Sequence, residues 1–426
     1  MKILLSAYAC RPKFGSEHAA GWNFAQQLSK QGHQVTVLTN DECRNDIENQ
    51  GGDIPANTTF VYHRLPLWIK KPLYRKTGPL AHIYYFFWQI SAFFCVRNIL
   101  KDNEVDLIHL ITIGVFRTPA FLGLLTPPFI LGPVGGGETS TPQLQRKLPF
   151  RYKLKEKLRH WANLSALINP LMYLTYQTTD LILLKTSDNL RYIPDRFHNK
   201  CRVSLEVGIE LSHNQERKTT SRDDKSFKIL FAGRLEYWKG VHLAIKAYAQ
   251  ILKKHPSTTF TIVGSGSEEQ WFKETATRHN VLDKIEWLPR VEQEKLFLMY
   301  ESFDVFLFPS MHDSSGHVTV EALSHGLPVV CLDLGGPKEI INEACGRVIP
   351  TQDLAEDDII QKIVDEISSL ISKPESISRM RENALLRASQ FSWDKVVENN
   401  YQLIHETISL HGSKGTKQSW KQPAAV

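Results

Sequence analysis

The sequence has no Cys-x-x-Cys pair. Its six cysteines, Cys10, Cys43, Cys95, Cys201, Cys331 and Cys345, are scattered along 426 residues. That spacing argues against a thiolate zinc site or a redox pair and fits reduced thiols in a cytoplasmic protein. A large charge of one sign is also missing. The net charge is +6, an excess that permits contact with an anionic surface and does not call for nucleic acid. Long unbroken apolar runs are scarce. The N-terminal "MKILLSAYACRP" runs into Arg11, Pro12 and Lys13, so it reads as a first buried strand and not as a signal peptide. Residues 77–96 carry no Lys, Arg, Asp or Glu and are about long enough to cross a bilayer, but Thr77, Gly78, Pro79, His82, Gln89 and Ser91 interrupt them. A buried or interfacial segment is expected there.

What is present is a strand-and-helix series that occurs twice. Residues 2–7 form a strand, "KFGSEHAAG" a glycine loop entering a helix with Ser16 as N-cap, and "QVTVLT" a second strand. Ala20, Phe24 and Leu28 share one helical face, and Gly32 closes the helix. "VDLIHLITIG", "PPFILGPVGGGE" and "TDLILLKTS" read as further buried strands. Residues 211–226 are polar and aperiodic, as a linker would be. A second series follows: "FKILFAG", "TFTIVG", "KIEWL", "DVFLF" and "LPVVCL", separated by helical stretches. Strands alternating with helices imply parallel sheets covered on both faces. The expected fold class is α/β, with two tandem Rossmann-like doubly wound domains facing across a cleft. The first takes residues 1–207 and the second 208–392. The amphipathic "FSWDKVVENNYQLIHETI" predicts a helix over 393–410 that packs back on the first domain, and 411–426 are expected to be disordered. Ligands of open α/β sheets sit at the carboxyl ends of the strands, so the chemistry belongs on the loops that follow them.

Four such loops carry candidate residues. "GRLEYWKG" follows a strand and places Arg234 and Lys239 above the sheet. A guanidinium and an ammonium there would stabilise the charge that develops on a departing diphosphate; two solvated basic residues are the plainer alternative. "HDSSGHVTVEALSHGLPVV" sets Asp313 eight positions before Glu321, with Gly316 ahead of a helix that carries Glu321. One carboxylate can meet sugar hydroxyls and the other ribose hydroxyls, while the helix-start amides around Ser315, Gly316 and His317 face phosphate. A capping Asp with a surface Glu is the alternative. Gly15, Ser16 and Glu17 form a glycine loop at a helix start, a weak anion site by itself. His109 ends a strand, where it can bond a donor-sugar hydroxyl or serve the core.

Taken together, "GSEHAAGW", "DLIHLITIG", "GPVGGGE", "FAGRLEYWKG", "IVGSGSEE", "DVFLFPS", "VEALSHGLPVV" and "FSWDKV" resemble the family-four retaining glycosyltransferases of the GT-B fold, over nearly the whole chain. "ACRPKFGSEHAAGW" and "LGPVGGGE" resemble a bacterial subgroup associated with exopolysaccharide and surface-glycan assembly. The resemblance implies a UDP- or GDP-sugar as co-substrate, no further cofactor and no metal. The absence of an Asp-x-Asp motif agrees with the last point. It implies that Arg234 and Lys239 hold the diphosphate with Gly15 and its neighbours, that Glu321 binds ribose and Asp313 the donor sugar, and that His109 stands beside that sugar. In this fold the base is recognised by backbone groups near "LPRVEQ", where Arg290 is either a contact or a plain surface residue. Two positions depart from the family pattern. Asp313 replaces the usual Glu and is one methylene shorter. The usual His-x-His is His109-Leu110-Ile111, with Thr112 next to it.

Two segments of the first domain mix basic and aromatic residues: residues 68–94 and the run "RKLPFRYKLKEKLRHW". Both suit a glycan or lipid-linked acceptor and peripheral contact with an anionic membrane, on the inner face of the plasma membrane. A buried aromatic helix and a solvated basic helix remain the plain alternative. Against the transferase stand two other readings: a different enzyme on the same fold, such as an epimerase or phosphorylase, and a binding subunit without turnover.

Overall fold

The computed structural model describes residues 1–15, 17–49, 54–74, 78–210 and 226–412. Ser16, the expected linker up to residue 225 and the tail from residue 413 lie outside the described residues.

Seven strands build the first sheet: β1 (Lys2–Ser6), β2 (Gln34–Asn40), β3 (Thr58–His63), β4 (Leu107–Leu110), β5 (Phe129–Val134), β6 (Leu181–Leu184) and β7 (Cys201–Val203). Their order is β3-β2-β1-β4-β5-β6-β7, and every pairing is parallel. Six strands build the second: β8 (Lys228–Ala232), β9 (Thr259–Val263), β10 (Ile285–Leu288), β11 (Val305–Phe308), β12 (Val329–Leu332) and β13 (Gly346–Ile349). Their order is β10-β9-β8-β11-β12-β13, again all parallel. The α/β class and the paired doubly wound sheets expected from the sequence are therefore found.

The apolar runs are continuous because both faces of each sheet are covered. On β1, Ile3 and Leu5 pack with Phe24 and Leu28 of the Glu17–Lys30 helix, while Leu4 faces Tyr84, Trp88 and Val96 on the other side. The last three belong to the Pro79–Asp102 helix, which holds most of the segment long enough for a bilayer. It lies against the first sheet, and no helix among the described residues is long and apolar enough to cross a membrane. Gly32 closes the first helix as expected, with φ +80°. The amides of Gly32 and His33 reach back to the carbonyls of Ser29 and Leu28, the double bond of a left-handed helix end.

Each strand order reverses once, between β1 and β4 and between β8 and β11. Ligands of open α/β sheets sit at the carboxyl ends beside that reversal, so the loops that follow the flanking strands are the ones to inspect. In the second sheet those loops are the ones after β8 and β11, which carry Arg234, Lys239 and Asp313. The Trp393–Gly412 helix returns to the first domain, where Tyr401 meets His109.

Candidate active site at the crevice between the two sheets

The loop after β8 makes a short turn over Tyr237–Lys239 and ends at Gly240, which starts the Val241–Lys254 helix. Gly240 has φ +71°, and a Cβ there would stand 1.8 Å from the Pro309 carbonyl oxygen. Only glycine allows both the left-handed backbone and that approach. The approach brings the two loops together. The Trp238 carbonyl accepts from the Met311 amide at 2.7 Å and from the Ser310 hydroxyl at 3.2 Å. Lys239 Nζ is thereby set against Asp313 Oδ2 in a close ion pair, with each side chain mostly buried.

The other oxygen of Asp313 accepts from the amides of Ser315 and Gly316 at 3.1 and 3.0 Å. Burial pushes this carboxyl up, but the Lys239 ammonium and the two amides hold it well below the usual carboxylate range. Gly316, at φ +68°, opens the His317–Ser324 helix. Burial lowers the His317 imidazole to about 4, so it is neutral at physiological pH. Glu321 lies one turn further along the helix. Gln293 donates to it at 3.1 Å, and burial raises its carboxyl to about 7. Arg234 is exposed, its guanidinium 5.9 Å from the Trp238 ring centre. Arg290 is exposed in the loop after β10, and Gly15 in the loop after β1.

The first domain closes the crevice with charged residues of its own. Lys185, just past β6, is 5% exposed and pairs with Glu206 and, at 3.2 Å, with Glu17. Burial disfavours its charge, but the two acids together raise it above the usual lysine range. Glu17 also accepts from the Ile113 amide at 2.7 Å. Burial works to raise its carboxyl, but Lys185 and this amide hold it below its usual value. Burial pushes Glu206 up to about 8. Glu138, at the end of "GPVGGGE", accepts from the Ser314 hydroxyl at 2.6 Å across the crevice. Its other oxygen accepts from Thr186 and Asn189 at 3.0 and 2.9 Å. A cation-bearing loop, a helix start and a carboxylate thus line one side, and a neutralised acid–lysine cluster lines the other. Such a crevice is suited to an anionic leaving group on a polar substrate.

Residues 212–387 match the family described as Glycosyl transferases group 1. The matched stretch, less than half of the chain, holds the domain of the second sheet. Every candidate of the second sheet, from Arg234 to Glu321, falls inside that domain; Gly15, Ser16 and His109 fall outside it. The chain is 31% identical over 193 residues to a glycogen synthase of Mycobacterium tuberculosis (strain CDC 1551 / Oshkosh), covering 45% of this chain and 44% of that one. It spans about half the length of the curated relatives it matches. Among solved structures it resembles WaaG, a glycosyltransferase involved in lipopolysaccharide biosynthesis. That TM-score is 0.59 at 18% identity, over 94% of this chain and 99% of the other. It also resembles Anabaena HepE in complex with UDP and glucose, with a TM-score of 0.58 at 17% identity, over 96% of this chain and 100% of the other. These likenesses establish the GT-B fold.

Within that fold the second domain gathers Lys239, Asp313, Ser315, Gly316 and His317 into one contiguous set. His109 stands apart from them. It is fully buried on β4, with Nδ1 3.1 Å from the Tyr401 hydroxyl and Nε2 2.7 Å from the Gly132 carbonyl. Phe24 and Tyr401 pack edge-on against its ring. Both ring nitrogens are taken, and burial lowers the imidazole to about 4. In this arrangement His109 joins the last helix to the first sheet. Thr112 is fully buried as well, and its hydroxyl accepts from the Ala9 amide at 3.0 Å.

Lys185, Glu206 and Glu138 were not among the residues singled out in the sequence. Lys185 had one visible signal, a lysine directly after the apolar run "LILL". Glu206 and Glu138 had none, because their partners lie far off along the chain.

Proposed function

We propose that the protein is a retaining glycosyltransferase, acting without a metal on a UDP- or GDP-sugar and a glycan or lipid-linked acceptor in surface or exopolysaccharide biosynthesis. The observation that carries this reading is the Lys239–Asp313 pair at the strand-order reversal of the second sheet, within the residues that match the group 1 family and with Arg234 on the same loop as Lys239. As the bond between the sugar's anomeric carbon and the diphosphate oxygen breaks, negative charge grows on the diphosphate. Arg234 and Lys239 then stabilise the transition state more than the bound substrate. Lys239 exchanges Asp313 for phosphate when the donor binds, which frees Oδ2 to accept from sugar hydroxyls. The acceptor oxygen bonds to the same face of that carbon, and its proton passes to the departing phosphate. Glu321, raised but ionisable near neutral pH, accepts from the ribose. Two lysine and arginine charges replace what a divalent cation would supply, and the chain has no Asp-x-Asp motif. The WaaG and HepE likenesses agree with a nucleotide donor and a surface-glycan product.

The acceptor side is the first domain. The Phe150–Ile168 helix turns Phe150, Leu154, Leu158 and Trp161 outward on one stripe; Phe150 is 81% and Trp161 68% exposed. Lys153 and Lys157 flank the stripe. Such a face suits the headgroup layer of an anionic membrane, as a peripheral enzyme on the cytoplasmic side needs for a lipid-linked acceptor.

The test is the purified chain with a panel of UDP- and GDP-sugars, following nucleoside diphosphate release and the anomeric configuration of the product by NMR. Release with at least one donor and a product of retained configuration is expected. A product that is only an isomerised nucleotide sugar would replace this reading with an epimerase. An inverted product would remove retention.

A further inference from the structure

Glu156 takes no part in the chemistry proposed above, yet it reaches both donor loops. It projects from the inner face of the Phe150–Ile168 helix and is 2% exposed. Its Oε1 accepts from the Tyr237 hydroxyl at 2.8 Å and lies 3.0 Å from His312 Nε2. Its Oε2 accepts from the Ser140 hydroxyl at 3.2 Å. Tyr237 stands two residues before Lys239, and His312 one residue before Asp313. One carboxylate of the first domain therefore ties down the two loops that hold the ion pair of the second.

The surroundings stiffen this junction. Tyr152, one turn before Glu156, stacks on Tyr237 with ring centres 4.5 Å apart and planes 13° apart. His312 stacks on Trp238 at 5.7 Å and 17°. Burial pushes the Glu156 carboxyl up, but bonds from His312 and Tyr237 hold it below its usual value, so it is ionised and can only accept. Burial lowers His312, which is therefore neutral and donates its Nε2 proton to Glu156.

We propose that Glu156 is a positioning residue that sets the register of the phosphate-facing and sugar-facing loops from across the crevice. A nucleoside diphosphate is then gripped fully only while the two domains are together. This rests on the donor reading of Lys239 and Asp313. The device needs the hydrogen bonds and not the charge. In Glu156→Gln the carbonyl still accepts from Tyr237 and His312, and the amide donates to Ser140. Glu156→Ala removes all three bonds.

The test is calorimetric titration of the full chain with UDP, GDP, UMP and GMP, with folding followed by circular dichroism and thermal unfolding. Whichever diphosphate binds the wild type should bind Glu156→Ala at least about tenfold more weakly, the size of one lost charge-assisted hydrogen bond, with its monophosphate much less affected. Glu156→Gln should bind both nearly as the wild type does. If Glu156→Ala does not fold, Tyr237→Phe keeps the ring stack, loses one bond and should show the same selective loss. A folded variant with undiminished diphosphate binding, or with equal loss of mono- and diphosphate, overturns the positioning role and leaves the donor site standing. A wild type that binds neither UDP nor GDP brings down the donor reading and this inference together.

Discussion

Lys239→Ala removes the cation assigned to the departing diphosphate, and turnover is expected to fall by about a hundredfold or more. The pair it leaves is mostly but not fully buried, and Asp313 keeps its two amide donors. Steady-state kinetics on the folded variant checks this; unchanged turnover would remove Lys239 from the mechanism. His109→Phe should do the reverse. It breaks two buried hydrogen bonds and leaves the Gly132 carbonyl and Tyr401 hydroxyl without that partner. Stability should drop by about 1–3 kcal/mol, with turnover per folded molecule preserved. Urea denaturation beside the same assay decides it, and a large loss of turnover at unchanged stability would return His109 to the site. Glu321 supplies the pH dependence. Its carboxyl is raised to about 7 by burial, so the accepting carboxylate form prevails above that pH and is lost below it. Nucleotide affinity should therefore weaken as pH falls from about 8 to about 6, on the order of tenfold for one charged hydrogen bond. Glu321→Gln should lack this component, and subtracting its profile removes the titration of the nucleotide's own phosphate. Equal profiles would dismiss Glu321 as the ribose acceptor. These residues were readable because their spacing is local: Asp313, Gly316 and Glu321 share one loop and helix. Glu138, Glu156 and Glu206 were not, because each meets its partners only after the sheets have formed.

At the scale of elements, the strands that the sequence announced are the central ones and one edge strand, β10. β1, β4, β5, β6, β8, β11 and β12 are buried along almost their whole length and appear as apolar runs. β3, β7 and β13 were not anticipated. All three are edge strands with partly exposed residues, "TTFVYH", "CRV" and "GRVI", and an edge needs no continuous apolar run. The Phe150–Ile168 helix shows the same limit. Its basic run was plain, but which face it buries was not. The structure turns Tyr152, Glu156, Asn163 and Ala166 inward and leaves Phe150, Leu154, Leu158 and Trp161 in water. Replacing those four by serine should leave the thermal transition close to that of the wild type, since none of them fills the core. It should also greatly reduce sedimentation with vesicles containing anionic lipid, because interfacial binding scales with buried apolar area. Undiminished sedimentation would place the membrane contact elsewhere, and a lack of wild-type sedimentation would end the membrane reading.

At the scale of the molecule, well-defined polar contacts join the two domains along the crevice, beside an apolar core shared by both. Asp188, 8% exposed at the end of the first sheet, accepts from the Gly335 amide at 3.1 Å and pairs with Lys338 at 2.7 Å. Glu339, in the Gly335–Ile340 helix, accepts from the Ser187 amide and hydroxyl at 3.0 and 2.8 Å. Glu138–Ser314 and the Glu156 junction lie on the same boundary. Polar contacts at the boundary between domains of one chain are the ones that relative domain motion would break. Asp188 is the member with the most to lose, because it serves an amide and a cation from the other domain while itself nearly buried. Asp188→Ala should therefore shift the ensemble toward open forms without altering either sheet. X-ray scattering should report a larger radius of gyration at an unchanged circular dichroism spectrum. Saturating UDP or GDP should draw the variant back toward the wild-type value, since a ligand held by both domains favours the closed form by its difference in affinity. A radius that does not move would mean that burial around Val207 and the last helix, where Val207, Trp393, Val397 and Tyr401 pack in one core, fixes the domains without help from the rim.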